Sequence, residues 1–180
     1  MNVSNTCNTN RLVILSDING DENNNWIQAY IDKLEPFFEI IYYNCQFLGS
    51  KNTVLINKHK DFIDYGIDHA VNTLLTLETE KIIILGFSIG GTIGWKSVLK
   101  GLKVENLVAI SATRLRYEKT KPNCKIDLYF GENDAYKPIS AWYIKMNLTT
   151  NIIKNSSHEC YKSEEVMQMI TEELIKKVVY

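Results

Sequence analysis

Residues 81–91 constrain this chain more than any other stretch. Lys81-Ile-Ile-Ile-Leu-Gly86 is a short aliphatic run dominated by β-branched residues, the pattern of a strand buried on both faces of a parallel sheet. It passes without a spacer into Gly86-Phe87-Ser88-Ile89-Gly90-Gly91, and a helix is expected from Ile89 to about Lys100, with Gly101 placed to cap it. A buried strand that turns directly into a helix is half of a βαβ unit. Such units close on a parallel neighbour by a right-handed crossover, which confines the fold to the α/β class.

The rest of the chain repeats that alternation. Strands are expected at residues 11–16, 37–43, 106–111, 125–130 and 148–154, each apolar or rich in β-branched and aromatic residues. Helical spacing appears at Trp26, Ile27, Tyr30, Ile31 and Leu34, stopped by Pro36, and again from about Lys60 to Glu78. Pro138 is expected to open a helix reaching Met146, and Ser163, followed by Glu164 and Glu165, to cap a final helix ending near Val178. These elements amount to three layers, with helices on both faces of a mostly parallel sheet of about six strands. No repeat or linker divides them, so residues 11–180 read as one domain. Residues 1–10, rich in Asn and Thr, read as a disordered tail.

Composition narrows the function classes. The 180 residues carry a net charge of −1, with acidic and basic residues interspersed, so no basic face is available for nucleic acid or an anionic membrane. No segment approaches the roughly 18 apolar residues of a membrane helix, and the first ten residues lack the charged and apolar regions of a secretory signal. A soluble, cytoplasmic protein acting on a small molecule is expected. Its dispersed cysteines, Cys7, Cys45, Cys124 and Cys160, then read as free thiols, without metal-type spacing.

Gly86 to Gly90 fits G-x-S-x-G, the pattern that lifts a serine out of a sharp strand-to-helix turn. A chance match is expected in roughly one chain in twenty of this size, so its position between a strand and a helix carries the weight. The helix that follows sets backbone amides and a positive dipole end beside Ser88, which suits a developing oxyanion. A glycine-rich turn serving only packing is the plain alternative. A phosphate cradle lacks its motif, and Cys160 as nucleophile lacks an elbow.

A serine hydroxyl needs a base, and the base needs a carboxylate to hold its tautomer. His158 lies in a loop after the last expected strand, at the sheet edge where parallel folds gather site residues; His59 and His69 lie in or beside the long helix. Asp134, in Tyr129-Phe-Gly-Glu-Asn-Asp134, follows the fifth strand past a glycine turn. Its competitors are Asp127, inside that strand, and Glu132, close to the strand end.

The order Ser88, Asp134, His158 is that of α/β-hydrolases, and over residues 11–178 the chain resembles a minimal member of that family. Gly-Phe-Ser-Ile-Gly-Gly matches the family elbow, and Gly131-Glu-Asn-Asp134 with Tyr136-Lys-Pro138 is similar to its acid loop. The resemblance implies a sheet without the usual first two antiparallel strands. It also implies hydrolysis of a carboxylic ester or thioester through an acyl-serine, with no metal or cofactor; amide hydrolysis uses the same triad. The family's His-Gly-x-x-Gly stretch corresponds to Ser16-Asp17-Ile18-Asn19-Gly20, so Ile18 and Ile89 would supply the two backbone N–H donors of the oxyanion hole.

Two departures bear on function. Ser16 and Asp17 replace His and Gly, and Asp17 brings a negative charge near a site that must stabilise one, unless it only makes a turn. That departure supports the rival reading, a catalytically silent binding protein on the same fold. Residues 112–123 are too short to hold the helical cap of larger relatives, so the protein is expected to be lidless. Arg114 and Arg116 lie in this short segment, where they either reach an anionic group on the substrate or serve as ordinary surface charges.

Overall fold

The computed structural model describes residues 10–20, 25–50 and 62–179. Six strands form one sheet: β1 (Asn10–Leu15), β2 (Phe38–Tyr43), β3 (Ile82–Phe87), β4 (Val104–Ile110), β5 (Lys125–Gly131) and β6 (Asn151–Ile153). Their order is β2-β1-β3-β4-β5-β6, and every pairing is parallel. The helices are α1 (Asn25–Leu34), α2 (Cys45–Gly49), α3 (Ile67–Leu77), α4 (Ile89–Leu99), α5 (Ser140–Met146) and α6 (Glu164–Val179).

Alternation along the strands divides the core into two halves. Val13, Leu15, Ile82 and Ile84 face α2, α3, α4 and α5, while Leu12, Ile14, Ile83 and Leu85 face α1 and α6. Both faces of β3 are therefore covered, which is why its sequence is continuously apolar. At the C-terminus of α4, Gly101 takes φ +105; its N–H bonds Val98 O and that of Leu102 bonds Ser97 O, closing the helix as expected.

Several expected boundaries shift. Residues 1–9, Cys7, His59 and the expected start of the long helix at Lys60 lie outside the described residues. Within them that helix begins as a π-helical turn, Phe62–Gly66, before α3. Pro138 does not open α5: Lys137 N–H turns back to Asp134 O, Ile139 is extended, and the helix starts at Ser140. Only three residues of the expected strand at 148–154 pair, because β6 is an edge held by β5 alone. Helix α2 was not expected. Asn44 caps it by accepting from Gln46 N–H at 2.9 Å. Among the described residues, 112–123 hold no more than a 3₁₀ turn, Leu115–Tyr117, so no cap domain stands there.

Candidate active site

The C-terminal ends of β1, β3, β4 and β5 meet at one sheet edge, and the residues singled out above gather there. Ser88 links β3 to α4 with φ 50 and ψ −114, a left-handed conformation that a non-glycine residue holds only under strain. Close packing around it over-determines this turn. A Cβ on Gly90 would lie 2.5 Å from both Leu15 O and Ser16 O, and one on Gly86 would lie 2.6 Å from Gly91 N. Both positions therefore require glycine, which lets the start of α4 press against the end of β1.

His158 Nε2 lies 3.0 Å from Ser88 Oγ, and its Nδ1 lies 3.0 Å from Asp134 Oδ2. Asp134 is almost completely buried, and its other oxygen accepts Tyr136 N–H at 2.8 Å. The carboxylate thus fixes Nδ1 as the protonated ring nitrogen, leaving Nε2 to receive a proton from the serine hydroxyl.

The two competing carboxylates do other work. Glu132 accepts from Lys154 Nζ and Asn155 N–H, each at 3.0 Å, and these bonds lower its pKa. Asp127, on β5, pairs with Lys177 of α6, away from the relay. Together with Glu132 N–H to Ile153 O and Asn133 N–H to Ser156 O, the Glu132 contacts staple the acid loop to the histidine loop. Cys160, Cys45 and His69 likewise make their contacts away from Ser88. Cys160 is buried against Ser111, Cys45 is buried and hydrogen-bonded to Ser16 O, and His69 Nδ1 meets Leu48 O. Cys45, Cys124 and Cys160 are all free thiols.

Asp17 makes a turn, the simpler of its two readings. Its Oδ1 accepts from Asn19 and Gly20 N–H at 3.0 and 3.2 Å, and its Oδ2 accepts Tyr161 OH at 3.2 Å, with Lys162 Nζ 3.8 Å away. The negative charge is satisfied by its own turn together with Tyr161 and Lys162. Gln46, from the unexpected α2, donates to Ile18 O at 2.6 Å and steadies the same loop. Ile18 and Ile89 both line the cavity that Ser88 and His158 open into. Ile89 is the first residue of α4, where an N–H has no partner within the helix.

That cavity measures about 260 Å³, and Ile63, Thr113, Arg114, Arg116 and Tyr136 complete its wall. Tyr136 and Tyr161 had drawn no expectation of a site role. The ring of Tyr136 packs edge-on to His158 at 5.0 Å, and Tyr161 joins Trp26 and Phe87 in an aromatic cluster behind it. Among the described residues no group of His, Cys, Asp and Glu is arranged to hold a metal ion, and no helix is long and apolar enough to cross a membrane.

No protein-family model matches the chain, and no curated protein matches it by sequence. Solved structures do match. A predicted CIB-like hydrolase from Thermoplasma acidophilum superposes with a TM-score of 0.69 at 17% identity, covering 95% of this chain and 89% of that one. Est1E from Butyrivibrio proteoclasticus gives 0.67 at 12%, covering 96% and 89%. An alpha-beta serine hydrolase homologue from Coxiella burnetii gives 0.62 at 16%, covering 94% and 85%. At such identities it is the architecture that is shared. The chain has the α/β-hydrolase fold in a compact form, with no cap domain among the described residues.

Proposed function

We propose that this α/β-hydrolase-fold chain is a serine hydrolase that cleaves a carboxylic ester or thioester of a small, soluble substrate. The observation that carries the reading is the continuous relay from Ser88 Oγ through His158 to buried Asp134, with both links at 3.0 Å. In this mechanism Ser88 Oγ attacks the acyl carbon while His158 Nε2 takes the hydroxyl proton. Asp134 holds the imidazolium that forms, and the backbone N–H groups of Ile18 and Ile89 hold the oxyanion. Collapse of the tetrahedral intermediate expels the alcohol or thiol, which leaves with the proton from His158. Water then enters by the same route: His158 takes its proton, hydroxide attacks the acyl carbon, and Ser88 recovers its hydrogen as the acid departs.

The chemistry calls on no metal or cofactor, and the small cavity suits a compact substrate. The relay distances also speak against the silent binding protein, which has no need of an oriented imidazole. A fluorophosphonate probe separates the two readings. Rapid labelling at Ser88, abolished in Ser88→Ala, is expected of the enzyme, whereas an unlabelled, folded wild-type protein would overturn the proposal.

A further inference from the structure

Arg114 and Arg116 stand in the wall of the Ser88 cavity, and no carboxylate lines it among the described residues. Neither guanidinium has an ion-pair partner within 4.0 Å among those residues. Nearby Glu118 is engaged by Lys96 at 3.0 Å, Asp134 by His158, and Asp17 by Tyr161 and its own turn. Both guanidiniums gather on one aromatic ring: Arg114 lies 5.2 Å and Arg116 4.5 Å from the centre of Tyr117. Two like charges drawn together in a half-buried place repel one another, and the ring face offsets that only in part.

Arg116 is fixed more firmly than a solvated surface arginine. Its Nη1 donates to Thr113 O at 2.6 Å and to Tyr136 O at 2.9 Å, and its plane also lies 5.4 Å from the Tyr136 ring. One edge of the fork is thus used to hold position, which leaves Nε and Nη2 for a ligand. Arg114 makes no side-chain hydrogen bond among the described residues. An oriented fork beside a second guanidinium is the donor set that takes a carboxylate or phosphate through paired N–H···O bonds.

We propose that this pair is an anion subsite and that the substrate is an ester or thioester carrying a carboxylate or phosphate within one cavity length of the scissile bond. This rests on Ser88 being the nucleophile. The anion sits either on the acyl chain or on the leaving group, and two substrate pairs distinguish them. The first pair is p-nitrophenyl monoadipate against p-nitrophenyl hexanoate. The second is the butyrate ester of p-hydroxybenzoate against that of its methyl ester. In one pair kcat/KM for the anionic member is expected to exceed the neutral one by about tenfold or more, chiefly through KM. That ratio is expected to collapse in Arg114→Gln, to fall in Arg116→Lys and to shrink with added salt. Labelled Ser88 with ratios near one in both pairs would overturn the anion subsite and leave the hydrolase reading standing. If neither ester turnover nor Ser88 labelling occurs, the hydrolase reading falls instead. Calorimetric titration of the wild type with adipate then decides the subsite: Arg114-dependent binding supports it, and no binding overturns it.

Discussion

Ser88, His158 and Asp134 hold unequal positions in the relay. Ser88 is strained by its own backbone, whereas Asp134 is placed by burial and one backbone amide, and its contribution is directional. Asp134→Asn keeps the volume and the Tyr136 N–H contact but turns a donor or a weaker acceptor toward Nδ1, so the ring settles in the wrong tautomer. A loss on the order of 10⁴ in kcat is expected for such a change in a Ser-His-Asp system, with little change in unfolding midpoint. A variant at the wild-type rate would mean that another group orients His158. Tyr136 and Thr113 illustrate what a one-dimensional reading misses at this scale. They enter the site through a wall built by two loops distant in sequence, and nothing in their own residue type marks them as wall residues.

Among the elements, the junction between β5 and the histidine loop packs backbone directly against backbone. A Cβ at Gly131 would fall 2.3 Å from Ser157 O and 2.4 Å from Ser156 O, both backbone atoms that cannot swing aside. Gly131→Ala should therefore push the loop carrying His158 away from β5. The expected outcome is a drop of about 10² or more in kcat in a protein that still folds, because ångström-scale misplacement of a base is costly. Circular dichroism and turnover measured together check it; full activity would show that the loop relaxes without moving the imidazole. Gly90→Ala belongs to the same class, but its clash is between α4 and β1 inside the core, so lost stability should accompany the lost rate.

For the whole molecule, burial sets the response to alkali. Burial, with a hydrogen bond to Glu78, pushes Tyr43 up to about 12; burial, with the Asp134 charge nearby, pushes Tyr143 up to about 12; and burial, with the Asp17 charge nearby, pushes Cys45 to about 12 despite its contact with Ser16. Tyr30, Tyr129 and Tyr161 are shifted further in the same direction, again chiefly by burial. An unfolded tyrosine loses its proton near 10 and an unfolded cysteine near 8.5. Between those values and 12 the folded state holds more protons than the unfolded one, so stability falls as pH rises. Denaturant midpoints should hold up to about pH 8.5, decline gradually, and drop steeply above pH 10, with the tyrosinate absorbance of these five tyrosines rising only as the fold is lost. Reversible ionisation of all ten tyrosines near pH 10 in a folded protein would contradict this.

Covalent pattern and solvent aversion were enough to determine the architecture. Continuous apolar runs need cover on both faces, and their alternation with helical spacing leaves little besides a covered parallel sheet. G-x-S-x-G between β3 and α4 marked Ser88 for the same local reason: only glycine permits that turn. Tertiary structure decided what depends on distances between remote loops. It brought His158 to Ser88 across 70 positions of the chain and Asp134 to His158 across 24, and it turned the Asp17 carboxylate toward Tyr161, 144 positions away. It likewise set Arg114 and Arg116 in the cavity wall and over one ring, that of Tyr117, where the sequence left them either solvated or in use. A side chain's type is written locally, but its charge partners are chosen by whatever the fold packs beside it.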